Sequence, residues 1–172
     1  MCACLISTQG YAVKLFVALA LPISLLSCSV LAAPAKLELA DINGVEYSLV
    51  NDRGSWVVIN YWATWCTPCL REIPELNKLY RKGKQENIKV IGVNFEVATD
   101  ESVKKFVNKY LIEYPVLLEE VGAYSQLGAI EGLPKTFIIS PKGEVVYQKV
   151  GVVSLVGIKA VIEKLKESAG GN

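Results

Sequence analysis

Two cysteines with two residues between them, set where an apolar run stops and an amphipathic one begins, constrain this chain more than any other feature. Upstream, Trp56-Val57-Val58-Ile59-Asn60-Tyr61-Trp62 is β-branched and aromatic with almost no polar member, the pattern of a buried strand. Downstream, Leu70, Ile73, Leu76, Leu79 and Tyr80 recur at three- and four-residue spacing, which predicts a helix from about Thr67 to Lys82. Pro68 in its first turn forfeits no intrahelical bond, whereas Pro74 removes the N–H that would reach the Leu70 carbonyl, so a kink is expected. Cys66 thus falls at a strand-to-helix junction, where free N–H groups and the positive dipole end favour a thiolate. Cys69, nearly one turn further, is within disulfide reach without backbone movement. A zinc half-site would need two more Cys or His ligands, but the chain has no histidine. Its other cysteines, Cys2, Cys4 and Cys28, all precede the folded part. A purely structural bridge would close too small a loop to remove much chain entropy. The pair reads as a reversible dithiol switch.

Residues 1–33 carry one charge, Lys14, followed by an apolar stretch interrupted by Pro22. This is a signal peptide or a membrane or lipid anchor rather than part of the fold. Val30-Leu31-Ala32 offers small residues for cleavage before Ala33, Leu25-Leu26-Ser27-Cys28 is similar to a bacterial lipobox with Cys28 as the lipidated residue, and the stretch is also long enough for a tilted anchor. Each reading puts the remainder on the periplasmic or extracytoplasmic side, with membrane contact through the leader only. About 140 residues remain, enough for one domain, 37–168. Losing Lys14 from 18 basic residues leaves 17 against 17 acidic ones, a balance that speaks against nucleic acid as a partner. In an oxidising compartment the two cysteines of the motif are the working part.

Along the chain, Leu37 to Asp41 and Val45 to Leu49 alternate on either side of Asn43-Gly44, a hairpin signal. Ile88 to Phe95 reads as a second buried strand. Thr99 and Asp100 are caps for a helix with Val103, Phe106, Val107 and Tyr110 on its inner face. Pro115 to Leu118 predicts a short strand, Val121 to Leu127 a short helix, Thr136 to Ser140 and Val145 to Val150 a strand pair, and Ser154 the start of a last helix. Strand–helix–strand units followed by a hairpin and a helix imply a mixed central sheet with helices on both faces, and place the cysteines at the carboxyl end of a central strand.

The stretch Val57 to Cys69 with Pro74 resembles a thioredoxin active site, and Gly132-Leu133-Pro134-Lys135-Thr136-Phe137 resembles the segment that bears that fold's cis-proline. The leader, the N-terminal β-hairpin and the inserted strand–helix segment from Ile88 to Tyr110 resemble the TlpA/ResA-type branch of the thioredoxin superfamily. That branch contains extracytoplasmic thiol–disulfide oxidoreductases, including those serving cytochrome c maturation. The resemblance implies a thioredoxin-like fold, Cys66 as the exposed attacking cysteine, Cys69 as the resolving one and Pro134 as the cis-proline facing them. It implies Glu72 as the acidic residue kept beside the site, and Glu96 as a second, supporting acid. Asn60 stands where many thioredoxins carry a buried aspartate, so that proton-transfer aid is missing. With no histidine present, Glu72 is the candidate base that deprotonates Cys69, against the plain alternative of an exposed helix residue like Glu75. Trp65, Leu133 and Pro134 are candidate substrate contacts, with a backbone edge at Leu133 open to an extended segment. Lys135 departs from the usual Thr or Ser and implies a groove unlike the common one.

The expected function is reduction of protein disulfides by the Cys66/Cys69 couple, recharged by a thiol-type electron donor in the membrane and using no cofactor. Two other classes remain alongside it: a thiol peroxidase of peroxiredoxin type, and a copper-binding module using the same two thiolates.

Overall fold

The computed structural model describes residues 34–120 and 125–170, so the leader and the readings of Cys28 lie outside the described residues. Strands β1 (Glu38–Ala40) and β2 (Glu46–Ser48) form the expected antiparallel hairpin. Its turn is held by Asp41, whose Oδ1 accepts the N–H groups of Asn43 and Val45 at 2.8 and 2.9 Å, while Gly44 takes the left-handed conformation at φ 80°. The main sheet has five strands: β3 (Trp56–Trp62), β4 (Ile88–Phe95), β5 (Val116–Glu119), β6 (Lys135–Ile139) and β7 (Val145–Val150), in the order β5-β4-β3-β6-β7. β3, β4 and β5 run parallel, and β6 and β7 complete the sheet in antiparallel fashion. The hairpin is joined to β5 by an Asp41–Leu117 bridge and by the Ile42 N–H on the Val116 carbonyl at 3.0 Å.

Every residue of β3 is buried, as a central strand covered on both faces requires. The alternation of side chains nevertheless sorts it. Val58 and Trp62 enter one apolar cluster with Leu76, Leu79, Val103, Ile158 and Ile162, which come from helices α2 (Ile73–Gly83), α3 (Asp100–Lys109) and α4 (Leu155–Gly170). Val57, Ile59 and Tyr61 enter a second cluster with Leu37, Leu49, Ile91, Val93 and Phe137, covered by the hairpin and by Leu127 and Ile130. Thr99 caps α3 as expected, its Oγ1 accepting the Ser102 N–H at 3.3 Å, and Phe106 stacks on Trp62 with centroids 5.0 Å apart. The chain needs glycine at position 83, because a Cβ there would come within 2.4 Å of the Ile88 carbonyl oxygen.

Two expectations are corrected. The motif helix is not one kinked rod but two pieces, α1 (Thr67–Leu70) and α2, parted at Arg71 and Glu72. Lacking the Pro74 N–H, the chain tightens instead, with the Arg71 and Glu72 N–H groups on the carbonyls of Pro68 and Cys69 three residues back. The helix expected from Val121 lies partly outside the described residues, and its described end, Ser125 to Leu127, is a tight turn in which Ser125 and Gly128 exchange backbone hydrogen bonds. Among the described residues no helix is long and apolar enough to cross a membrane.

Candidate functional site

β3 delivers the chain to the site and α1 turns it back. Cys66 caps α1 and Cys69 lies within it, and the two are joined in a disulfide with Cα atoms 5.4 Å apart. Because α1 is a single turn, the anion-favouring field at Cys66 comes from a few local N–H groups rather than from a long helix. Cys66 is 3% exposed and Cys69 2%, so the attacking position, expected to be open, is covered in the disulfide form. Trp65 beside it is 68% exposed.

Glu72 is not an exposed helix residue: at 1% exposure it is the most deeply buried acid among the described residues. The break before α2 turns its side chain under the sheet. Its Oε1 accepts from the Asn60 Nδ2 at 2.8 Å and its Oε2 from the Val153 N–H at 3.1 Å. The Asn60 amide also donates to Thr136 Oγ1 at 3.1 Å, tying β3, β6 and α2 together at this point. Burial pushes the Glu72 carboxyl up to about 7, against the opposing pull of the Val153 N–H, the Asn60 amide and the Lys149 charge. Tyr114 is raised by burial and by the nearby Glu72 charge. Glu75, the neighbour that looks equivalent in sequence, is bound at the surface to Lys78 and to the Leu155 N–H.

The segment before β6 closes the site. The Leu133–Pro134 bond is cis, the Pro134 carbonyl accepts the Gly151 N–H at 2.8 Å, and neither backbone group of Leu133 is bonded among the described residues. Leu133, Gly132 and Ile130 form one wall of a groove of about 350 Å³, with Trp65, Phe95 and Val97 opposite. Glu96 sits in this groove with its carboxylate turned back, accepting the N–H and Oγ1 of Thr64 at 2.8 and 3.0 Å and the Asn94 Nδ2 at 2.8 Å. It braces the turn that leads into Trp65 and Cys66. Lys135, expected to make the groove unlike the common one, is 3% exposed and lies on the sheet face that carries Tyr61 and Phe137. Reading the sequence alone missed the Val153 N–H as a partner of Glu72, and nothing in the local sequence signals it. It also missed that Asn60, which has no proton to exchange, orients the carboxyl that does.

A thiol pair that closes into a disulfide, a buried carboxyl near neutrality and an apolar groove alongside make up a thiol–disulfide exchange site. Comparison with known proteins agrees. The AhpC/TSA family model matches residues 31–148. The thiol–disulfide oxidoreductase ResA of Bacillus thuringiensis (strain Al Hakam) is 33% identical over 129 residues, covering 73% of this chain and 72% of the relative, and that of Geobacillus kaustophilus is 32% identical over 128 residues, covering 74% and 73%. Among solved structures, a Chlorobium tepidum protein described as the thiol:disulfide interchange protein DsbE superposes with a TM-score of 0.67 at 27% identity, covering 78% of this chain and 95% of that one. StoA from Bacillus subtilis shares the fold, with a TM-score of 0.59 at 22% identity, covering 76% and 98%. With its thioredoxin-like fold and this site, the chain belongs to the AhpC/TSA family of the thioredoxin superfamily, and within it to the ResA-type thiol–disulfide oxidoreductases.

Proposed function

We propose that the protein reduces disulfides of exported proteins, apocytochromes c awaiting haem attachment among them, on the extracytoplasmic side of a membrane. The observation that carries this reading is the buried Glu72 carboxyl, held by two neutral donors three residues beyond Cys69. In the dithiol form the Cys66 thiolate attacks one sulfur of a partner disulfide. An S–S bond forms between Cys66 and the partner, and the partner's other sulfur leaves as a thiolate. Glu72 then takes the Cys69 proton, and the Cys69 thiolate attacks the Cys66 sulfur. This forms the Cys66–Cys69 bond and releases the partner's second thiolate, so two electrons have passed to the partner. A thiol-type donor in the membrane restores the dithiol. Trp65, Leu133 and Pro134 receive the partner segment, which pairs with the Leu133 backbone, while Glu96 supports the Thr64 turn.

The domain spans 37–168, and residues 1–33 are the export leader. Cleavage before Ala33, lipidation of Cys28 and retention as an anchor each leave it extracytoplasmic, and the mass of the mature protein separates the three. The test of function is a trap: Cys69→Ala expressed in the native host should hold exported proteins as mixed disulfides at Cys66. Recovery of none, together with rapid peroxide turnover by the reduced wild-type protein, would replace this reading with a peroxidase.

A further inference from the structure

Lys135 immediately follows the cis-proline, and its side chain is buried at 3% exposure. In register, Tyr61 faces Lys135 and Asn60 faces Thr136, so Lys135 lies on the sheet face opposite Glu72. Its ammonium is ion-paired with Glu131 and sits 5.2 Å from the centre of the Phe137 ring. Glu131 is its one acidic partner among the described residues. The buried acid on that face, Glu119, is already engaged by the Tyr61 hydroxyl and the Gln126 N–H, both at 2.8 Å. The Glu131 side chain is 60% exposed, so the pair joins a buried lysine stem to a surface carboxylate, and the position of Glu131 is tied to that of Lys135 by the ammonium's need for a partner.

Glu131 lies in the chain between Ile130 and Gly132, two residues that line the groove beside Trp65. The start of the same loop is clasped at Gln126, whose side chain exchanges two hydrogen bonds with the Glu38 backbone of β1, at 2.8 and 2.9 Å. The wall is therefore fixed at both ends. Between the two holds, Ile130 is left to meet Trp65 and Val97 across the groove.

We infer that the Lys135–Glu131 pair is a positioning strap that holds the Ile130–Leu133 wall against the groove, and so selects extended protein disulfides over small soluble ones. The inference rests on the proposed use of that groove by protein substrates. It gives a physical cause to the departure at Lys135, which the sequence reads as a groove unlike the common one.

The experiment compares wild type, Glu131→Gln, Lys135→Met and the double variant, each as the intact folded domain. Reduction of insulin is followed beside reduction of glutathione disulfide, with hydrogen exchange at Gly132 and Leu133 as a readout independent of turnover. Glu131→Gln, which strands the ammonium, should raise KM for insulin about tenfold, leave kcat and the glutathione-disulfide rate within about twofold, and speed exchange at both amides about tenfold. Lys135→Met, which removes the charge together with the strap, should show a smaller rise, and the double variant should match Lys135→Met rather than Glu131→Gln. Unchanged exchange in folded Glu131→Gln overturns the strap, and so does an equal loss for both substrates. Faster exchange with no insulin turnover in any form, wild type included, leaves the strap standing and removes the protein-disulfide reading instead.

Discussion

Neighbouring residues of two paired strands hold carboxyls of different fates: Glu72 is buried, whereas the Glu131 side chain is 60% exposed. On one face of the sheet, the Asn60 amide donates to both Glu72 and Thr136; on the other, the next residues in register, Tyr61 and Lys135, meet Glu119 and Glu131. Glu72 is hydrogen-bonded only by an amide side chain and a backbone N–H, neither of which cancels its charge, and burial lifts it to about 7. Glu131 is bonded to an ammonium, and that bond holds its carboxyl below the usual range. The contrast separates two uses of an acid. Burial with only neutral donors leaves the proton free to come and go near neutral pH, whereas a solvated acid bonded to a cation stays an anion and can act as a tether.

The largest break in this division is chemical. Cys69→Ala removes the resolving thiol, so reduction should stop after the first exchange, and mass spectrometry should find one partner per chain at Cys66. Continued turnover would mean that another group resolves the intermediate.

Next comes the pH dependence of stability, which the Glu72 face should dominate. Its folded-state pKa of about 7 lies above the usual glutamate value of about 4.3. Between those two values the folded disulfide form keeps a proton that the unfolded chain has released, so stability falls as pH rises through the window. Above it the full effect is present, about 3 kcal/mol. Glu72→Gln has no such proton. Denaturant titrations at about pH 4.5 and about pH 8 should show Gln gaining on Glu by about that amount, and parallel curves would contradict the assignment.

On the opposite face, Tyr61→Phe deletes the hydroxyl bound to Glu119 at 2.8 Å and should lose about 1–3 kcal/mol of stability. The Glu72 titration, followed by carboxyl NMR, should not move. A moved titration would show that the sheet does not insulate the two faces. The smallest expected change is Trp65→Ala, at an exposed position in the groove. Stability should stay within about 0.5 kcal/mol while KM for a protein disulfide rises about threefold.

The sequence made the centre of the molecule legible because the centre is locally encoded. A β-branched run ending in Trp65-Cys66-Thr67-Pro68-Cys69 states a strand, a turn and a thiol pair within a few residues. Thr99 states its cap at a distance of three. Glu72 was within reach too, chiefly through the resemblance to the TlpA/ResA-type branch, with the absence of histidine pointing the same way. The break at Arg71 was only half legible, since Pro74 predicts a kink but not that the turn tightens and swings Glu72 inward. The second donor to Glu72 is the backbone of Val153, 81 residues away, and no side-chain pattern encodes a backbone N–H. Lys135 stood out in the sequence as a departure from the usual Thr or Ser, but its burial was not legible, because lysine is almost always at the surface and this one depends on an acid in a loop of irregular conformation.

The proposed service of Glu72 to the inner thiol, in the resolving step and not the first attack, is open to direct kinetic test. Double-mixing stopped flow with a model disulfide, from about pH 5 to about pH 9, follows formation and decay of the mixed species separately in wild type and Glu72→Gln. Formation rates should lie within about twofold of each other, and decay should be about a hundredfold slower in the variant, which also loses the wild-type inflection near pH 7. An unchanged decay rate with the inflection intact would contradict this role and leave Glu72 a buried structural acid.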